Sequence, residues 1–148
     1  MGLFDSQLNL RTQNSIALGP AEAFAAIVLV SVAIDGYLAD DELQVMLASL
    51  SRMHLFRSYP SEVMRKMFDK MCGIISRQGF ESLLKTAIAS LPHDLYDTAF
   101  AVAVDLILAD GEVTEEEENL IHYLWASLGI ADETARHIVS VMIIKNKG

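Results

Sequence analysis

The chain has 148 residues, with 20 Asp and Glu against 11 Lys and Arg and a formal net charge of −9. That balance excludes a nucleic-acid partner, which requires a basic surface, and it favours cations near the protein. Residues of hydrophobic type make up 52% of the chain, so the acidic surface must cover a large core, and the length suits one domain.

Residues 1–19 read as an N-terminal segment and 20–148 as a helical domain. Met1-Gly2-Leu3-Phe4-Asp5 has neither the basic start nor the cleavable apolar stretch of a secretory signal. Residues 3–10 are expected to form a short helix, followed by a loop through Gly19. Pro20, suited to a first helical position, opens a helix to about Ile34. Its apolar run from Phe24 to Ile34 falls short of the ~20 residues that a bilayer requires, so it reads as a central buried helix. A turn over Asp35 to Ala39 leads to a helix from Asp40 to about His54. A helix from Ser61 to about Ser76 carries Val63, Met64, Met67, Phe68, Met71 and Ile74-Ile75 at helical spacing.

Gln78-Gly79 breaks that helix, and Phe80 to Leu91 forms the next. Pro92 starts a long helix to about Ala109. After a second turn, a helix runs from Glu115 to about Leu128, Gly129 stops it, and Asp132 caps a last helix to about Lys145. The expected fold class is all-α, a single-domain bundle of seven to eight helices without strands. The last helix, with Ile138, Val139, Val141, Met142, Ile143 and Ile144, is apolar around much of its circumference. It either closes the core or forms a homodimer face. Cys72 has no intrachain partner, which makes a cytoplasmic protein the default. Burial is what a free cysteine usually does, so Cys72 is expected in the core. Met46, Met53, Met64, Met67, Met71 and Met142 are expected there too, although methionine faces also serve as adaptable partner grooves.

One stretch occurs twice, 75 residues apart. Ala33-Ile34-Asp35-Gly36-Tyr37-Leu38-Ala39-Asp40-Asp41-Glu42 returns as Leu108-Ala109-Asp110-Gly111-Glu112-Val113-Thr114-Glu115-Glu116-Glu117. In each copy an apolar helix ends in Asp-Gly and a new helix begins among carboxylates. Residues 24–54 align without gaps on 99–129, pairing Ala26 with Ala101, Ile27 with Val102, Val32 with Ile107, Val45 with Leu120 and Met53 with Leu128. Two helix-turn-helix hairpins related by a pseudo-twofold axis would bring their turns together at one end of the bundle.

An aspartate at a helix C-terminus faces the negative end of the macrodipole, at a cost of about 0.3–1 kcal/mol. Two such positions call for a compensating positive charge. Carboxylate oxygens suit a divalent cation such as Ca²⁺ or Mg²⁺, with Asp35 and Asp110 as paired ligands and Glu42 and Glu117 completing the cluster. Ordinary turn chemistry also accounts for these residues. Thr114 and Glu117 form a capping-box pattern, Gly111 suits a positive φ, and Asp110 suits an Asx-turn. In the first copy Ala39 stands where the second has Thr114, which removes the cap. An EF-hand is excluded, because neither Asp-Gly lies in a D-x-[DN]-x-[DN]-G loop.

The segment from Val104 to Glu117, with Ala109-Asp110-Gly111-Glu112-Val113 at its centre and Leu128-Gly129-Ile130 beyond it, resembles the signature of the tellurite-resistance TerB family. The first copy is a weaker match. The resemblance spans nearly the whole chain. It implies an all-helical TerB-like fold, an acidic divalent-cation site, and a part in stress or metal-linked membrane complexes, without enzymatic activity.

Other constellations are weak. Asp105 interrupts an apolar run, so it faces solvent, meets a basic residue from another helix, or belongs to the acidic site. Glu115, Glu116 and Glu118 suit a solvated first turn, as do Asp40 and Asp41. Glu118 with His122, and His93 with Asp97, are spaced for zinc but have no third ligand at plausible spacing and no HExxH motif. No nucleophile elbow or phosphate-cradling loop occurs. The leading expectation is a cytoplasmic TerB-like regulatory or adaptor protein for tellurite or metal stress, working with protein partners at the inner membrane surface. The alternative is a metal-independent helical interaction module.

Overall fold

The computed structural model describes residues 18–34, 39–109 and 111–147. Among these residues there are seven α-helices and no strand, in agreement with the all-α expectation. They are α1 (Pro20–Ala33), α2 (Asp40–Ser51), α3 (Ser61–Gln78), α4 (Phe80–Ser90), α5 (Tyr96–Leu108), α6 (Glu115–Ser127) and α7 (Asp132–Lys145). Short 3₁₀ turns at His54–Phe56 and His93–Leu95 precede α3 and α5.

The bundle is organised by α1. From Ala23 to Val30 every residue of this helix is fully buried, so it has no solvent face and must be enclosed on all sides. Helices α4 and α5 supply most of the cover, with α3 and α2 beside them. The ion pair between Lys70 of α3 and Glu22, at 3.2 Å, closes the N-terminal end of α1. Ser31, also fully buried, donates its hydroxyl to the Ile27 carbonyl at 2.8 Å and so leaves no unpaired donor. Phe24, Phe56 and Phe100 are the largest fully buried rings, and Phe24 meets Phe56 edge-on at 6.2 Å.

The remaining helices are amphipathic. On α3 the buried set Met64, Met67, Phe68, Met71 and Ile74 follows the helical period. Cys72 falls one position off that stripe and is exposed, which corrects the expectation of a core cysteine. Of the six methionines expected in the core, Met46, Met64, Met67 and Met71 are buried, and Met53 and Met142 pack against the core from its edge. Gly79 at φ 88° breaks α3 from α4, a conformation that favours glycine.

Three helix boundaries differ from expectation. The helix opened by Asp40 ends at Ser51, and His54 belongs to a 3₁₀ turn. Pro92 likewise leads into a 3₁₀ turn, and α5 begins at Tyr96, because the Leu95 N–H bonds the Pro92 carbonyl three residues back. Asp132 is the first helical residue, not the cap, and its carboxylate accepts the Trp125 indole N–H at 3.0 Å.

Truncating the enclosed helix should be costly. Leu29→Ala is expected to destabilise the protein by about 2–5 kcal/mol. Val63→Ala, on a half-exposed position of α3, should change stability by less than about 0.5 kcal/mol. Paired denaturant unfolding curves check both.

Candidate acidic-turn site

Two helical hairpins carry the repeat, α1 with α2 and α5 with α6. The first helix of each, α1 and α5, pack directly on one another, and both run toward the same end of the bundle. At that end each hairpin meets the other crosswise. Val32 of α1, Leu106 and Ala109 at the end of α5, and Asp41, Glu42 and Val45 of α2 line one groove of about 220 Å³. Val30 and Ile34 of α1, Glu116, Asn119, Leu120 and Tyr123 of α6, and Phe80, Glu81 and Leu84 of α4 line a second cleft of about 420 Å³.

The two hollows correspond through the 75-residue repeat. Asp41 matches Glu116, Val45 matches Leu120, and Ala109 matches Ile34. The start of α2 therefore lies beside the end of α5, and the start of α6 beside the end of α1. This is the juxtaposition that a pseudo-twofold relation between the hairpins requires.

Of the four expected ligands, Glu42 and Glu117 lie within the described residues, and Asp35 and Asp110 lie outside them. The residues just before those aspartates, Ile34 and Ala109, line the two hollows. Glu42 is exposed on the groove, and Glu117 is only 6% exposed. Among the described residues no three His, Cys, Asp or Glu side chains are close enough to hold a metal ion.

Glu117 is committed to the start of α6. Its Oε1 accepts the Thr114 N–H at 2.9 Å, while the Glu117 N–H donates to Thr114 Oγ1 at 3.1 Å. The expected capping box is therefore present, and Gly111 has the expected positive φ, at 83°. Ala39 has almost the same backbone as Thr114, φ −75° and ψ 153° against −73° and 165°, but no side chain to cap α2. Asp40 and Asp41 at the start of α2, and Glu115, Glu116 and Glu118 at the start of α6, are exposed as solvated first-turn charges, where they complement the helix dipoles.

The other singled-out residues have structural partners. Asp105 pairs with Lys145 at 3.1 Å and accepts the Asn146 amide at 2.9 Å, so a basic residue from α7 does neutralise it. His122 stacks on Trp125 with ring centroids 6.2 Å apart, and His93 packs on Tyr96. Arg57 donates to His54 Nδ1 at 2.9 Å. Partial burial and the neighbouring Asp69 carboxylate push the Cys72 thiol above its ordinary range. The last helix does close the core, through Ala135, Ile138, Val139 and Met142, yet it leaves Val141, Ile143 and Ile144 exposed. The crossed pairing of the hollows was the feature missed in the sequence, although the gapless alignment of Val45 with Leu120 was its signal.

Comparison with protein families, with curated proteins and with solved structures finds no match for this chain. The class it belongs to is thus defined by its own architecture, an all-α bundle built on two helical hairpins that share one acidic end.

The two caps make a paired test. Thr114→Ala should cost about 1 kcal/mol, whereas Ala39→Thr, three residues before Glu42, should add about 0.5–1 kcal/mol by completing the box in the first copy. Thermal and urea unfolding read both. Cys72 should react with iodoacetamide more slowly than a free cysteine near neutral pH, with the rate rising as the thiolate forms at higher pH.

Proposed function

We propose that the protein is a non-catalytic regulatory or adaptor module, TerB-like in its two acidic hairpins, that binds a divalent cation where the hairpins meet. The observation that carries this reading is the crossed packing. It sets the acidic start of each second helix beside the position where the other hairpin enters its Asp-Gly turn. Hard oxygen donors drawn from both turns favour Ca²⁺ or Mg²⁺ over a soft metal. Asp35, Glu42 and Asp110 would supply carboxylates, and Glu117 would contribute the oxygen that its capping role does not use.

Bound charge at that end would join the two hairpins and stiffen the grooves between them, which is how a cation would control partner binding. Partners are proteins, in a tellurite or metal-stress setting at the cytoplasmic face of the inner membrane, as the family resemblance implies. The exposed Val141, Ile143 and Ile144 of α7 offer a face for a partner or for a second copy. No helix among the described residues is long and apolar enough to cross a membrane, so contact with a membrane would go through such a partner.

One observation favours a second reading, a metal-independent interaction module. The Thr114–Glu117 box accounts for the burial of Glu117 with no cation. In that case the repeat is a capped scaffold and the open groove and α7 face do the binding.

Calorimetric titration of chelator-treated protein with Ca²⁺, Mg²⁺ and Zn²⁺, beside the Asp35→Asn/Asp110→Asn double variant, separates the two. The cation reading expects saturable heat with Ca²⁺ or Mg²⁺ that the variant loses. Absence of both heat and thermal stabilisation at millimolar metal overturns it in favour of the second reading.

A further inference from the structure

One stretch of this acidic chain is basic. From Thr134 to Gly148 it carries Arg136, Lys145 and Lys147 and no Asp or Glu, against a net charge of −9 overall. Helix α7 buries Ala135 and packs Ile138, Val139 and Met142 on the core. Its outer side holds Arg136, Val141, Ile143 and Ile144, with Lys147 in the turn that follows. Val141, Ile143 and Ile144 are 56%, 51% and 67% exposed, so this side joins an apolar patch to positive charge. Three such side chains gathered on one helix end, rather than scattered singly, signal an interaction surface.

The cleft of about 420 Å³ has the complementary chemistry. Val30 and Ile34 of α1 form its floor, and Phe80 and Leu84 of α4 form one wall. The other wall is a stripe of α6, Glu116, Leu120 and Tyr123, spaced i, i+4 and i+7. Val30 is fully buried and Leu84 and Leu120 nearly so, whereas Glu116 and Tyr123 are exposed at the rim. Lys85 pairs with the second rim carboxylate, Glu81, at 3.0 Å. The acidic end of the cleft is therefore Glu116, beside Glu115 and Glu118 in the first turn of α6.

We propose that the end of α7 from one copy docks in this cleft of a second copy, antiparallel to α6. Val141 and Ile144 then meet the apolar floor, and Lys147 meets Glu116. This rests on the reading of α7 as an interaction face and is independent of the cation. The dimensions agree, because Glu116 to Tyr123 covers about 10 Å of α6 and Val141 to Lys147 about 9 Å. A trough between two helices over a third receives an amphipathic helix through apolar side chains three and four residues apart. Long-range repulsion between two acidic copies decays over about 8 Å at physiological ionic strength, so local charge pairing sets the orientation. The Lys145–Asp105 pair pins α7 to the end of α5, and the cleft lies at the end of α1, which packs on α5. Both halves thus sit at one end of the bundle, and reciprocal exchange between two copies closes a twofold dimer.

Sedimentation velocity of the full chain at submillimolar concentration, in chelator and physiological salt, tests this. The wild type is expected to sediment as a dimer. Ile144→Asp on the α7 face, and Glu116→Lys/Tyr123→Asp on the cleft, should each weaken it about tenfold or more, because each removes both reciprocal contacts. All three replaced side chains are exposed, and unchanged unfolding curves confirm that the variants fold. Mixing the two variants should restore association that neither shows alone, through the one α7-in-cleft contact they keep. A monomeric wild type overturns the proposal, and its co-sedimentation with anionic vesicles would assign the basic face to lipid. A dimer that the cleft variant leaves intact also overturns it, as does mixing without gain. Metal is absent and Asp35 and Asp110 are untouched, so either result stands apart from the cation titration.

Discussion

Helix α1 has no polar face, and everything else in the bundle follows from that. Burying Phe24, Ile27 and Leu29 is favourable by roughly 1.5–3 kcal/mol for each side chain, but only if neighbours enclose the helix completely. The chain meets this demand by packing α5, the equivalent helix of the second hairpin, against α1, with α4 and α3 on the remaining sides. Once α1 and α5 run together, their C-terminal ends coincide. The second helix of each hairpin must then start beside the first helix of the other. The acidic end of the bundle is thus a consequence of core packing.

That origin explains how local turn chemistry and the proposed site call on the same residues. Gly111 takes a positive φ after α5, and Thr114 and Glu117 start α6 by satisfying backbone groups that a helix start leaves open. Repeating the arrangement in a back-to-back pair then sets the acidic start of each second helix beside the end of the other hairpin's first helix. The first copy, with Ala39 at its cap position, is the less constrained of the two. It is also the copy in which Val45 is 54% exposed, against 5% for its counterpart Leu120. The missing cap leaves the start of α2 without the reciprocal bonds that Thr114 and Glu117 make at the start of α6.

Much of this was legible before any coordinates. The run from Phe24 to Ile34 announced a buried helix, and the periodic methionines of α3 announced its core face. The capping box and the glycine at φ 83° were readable because they depend only on residues a few positions apart. Cys72 was misplaced because composition argues for burial while helical phase, which decides, sets it one step off the Met64–Ile74 stripe. The starts of α5 and α7 were misjudged because proline and aspartate near a helix start fit a 3₁₀ turn or a first helical position as well as a cap. The crossed grooves depend on contacts between residues some 70 positions apart, which periodicity does not encode. Only the gapless match of the two hairpins hinted at them.

The central claim is that both acidic turns act as one site at the shared end of the hairpins. Titrating isotope-labelled protein with substoichiometric Mn²⁺, a paramagnetic stand-in for Ca²⁺ or Mg²⁺, tests it most directly. The account predicts simultaneous loss of amide signals from residues 39–42 and 111–117, with Asp94, Asp97, Asp132 and Glu133 retained. Broadening confined to one turn, or spread evenly over every acidic helix start, would contradict it.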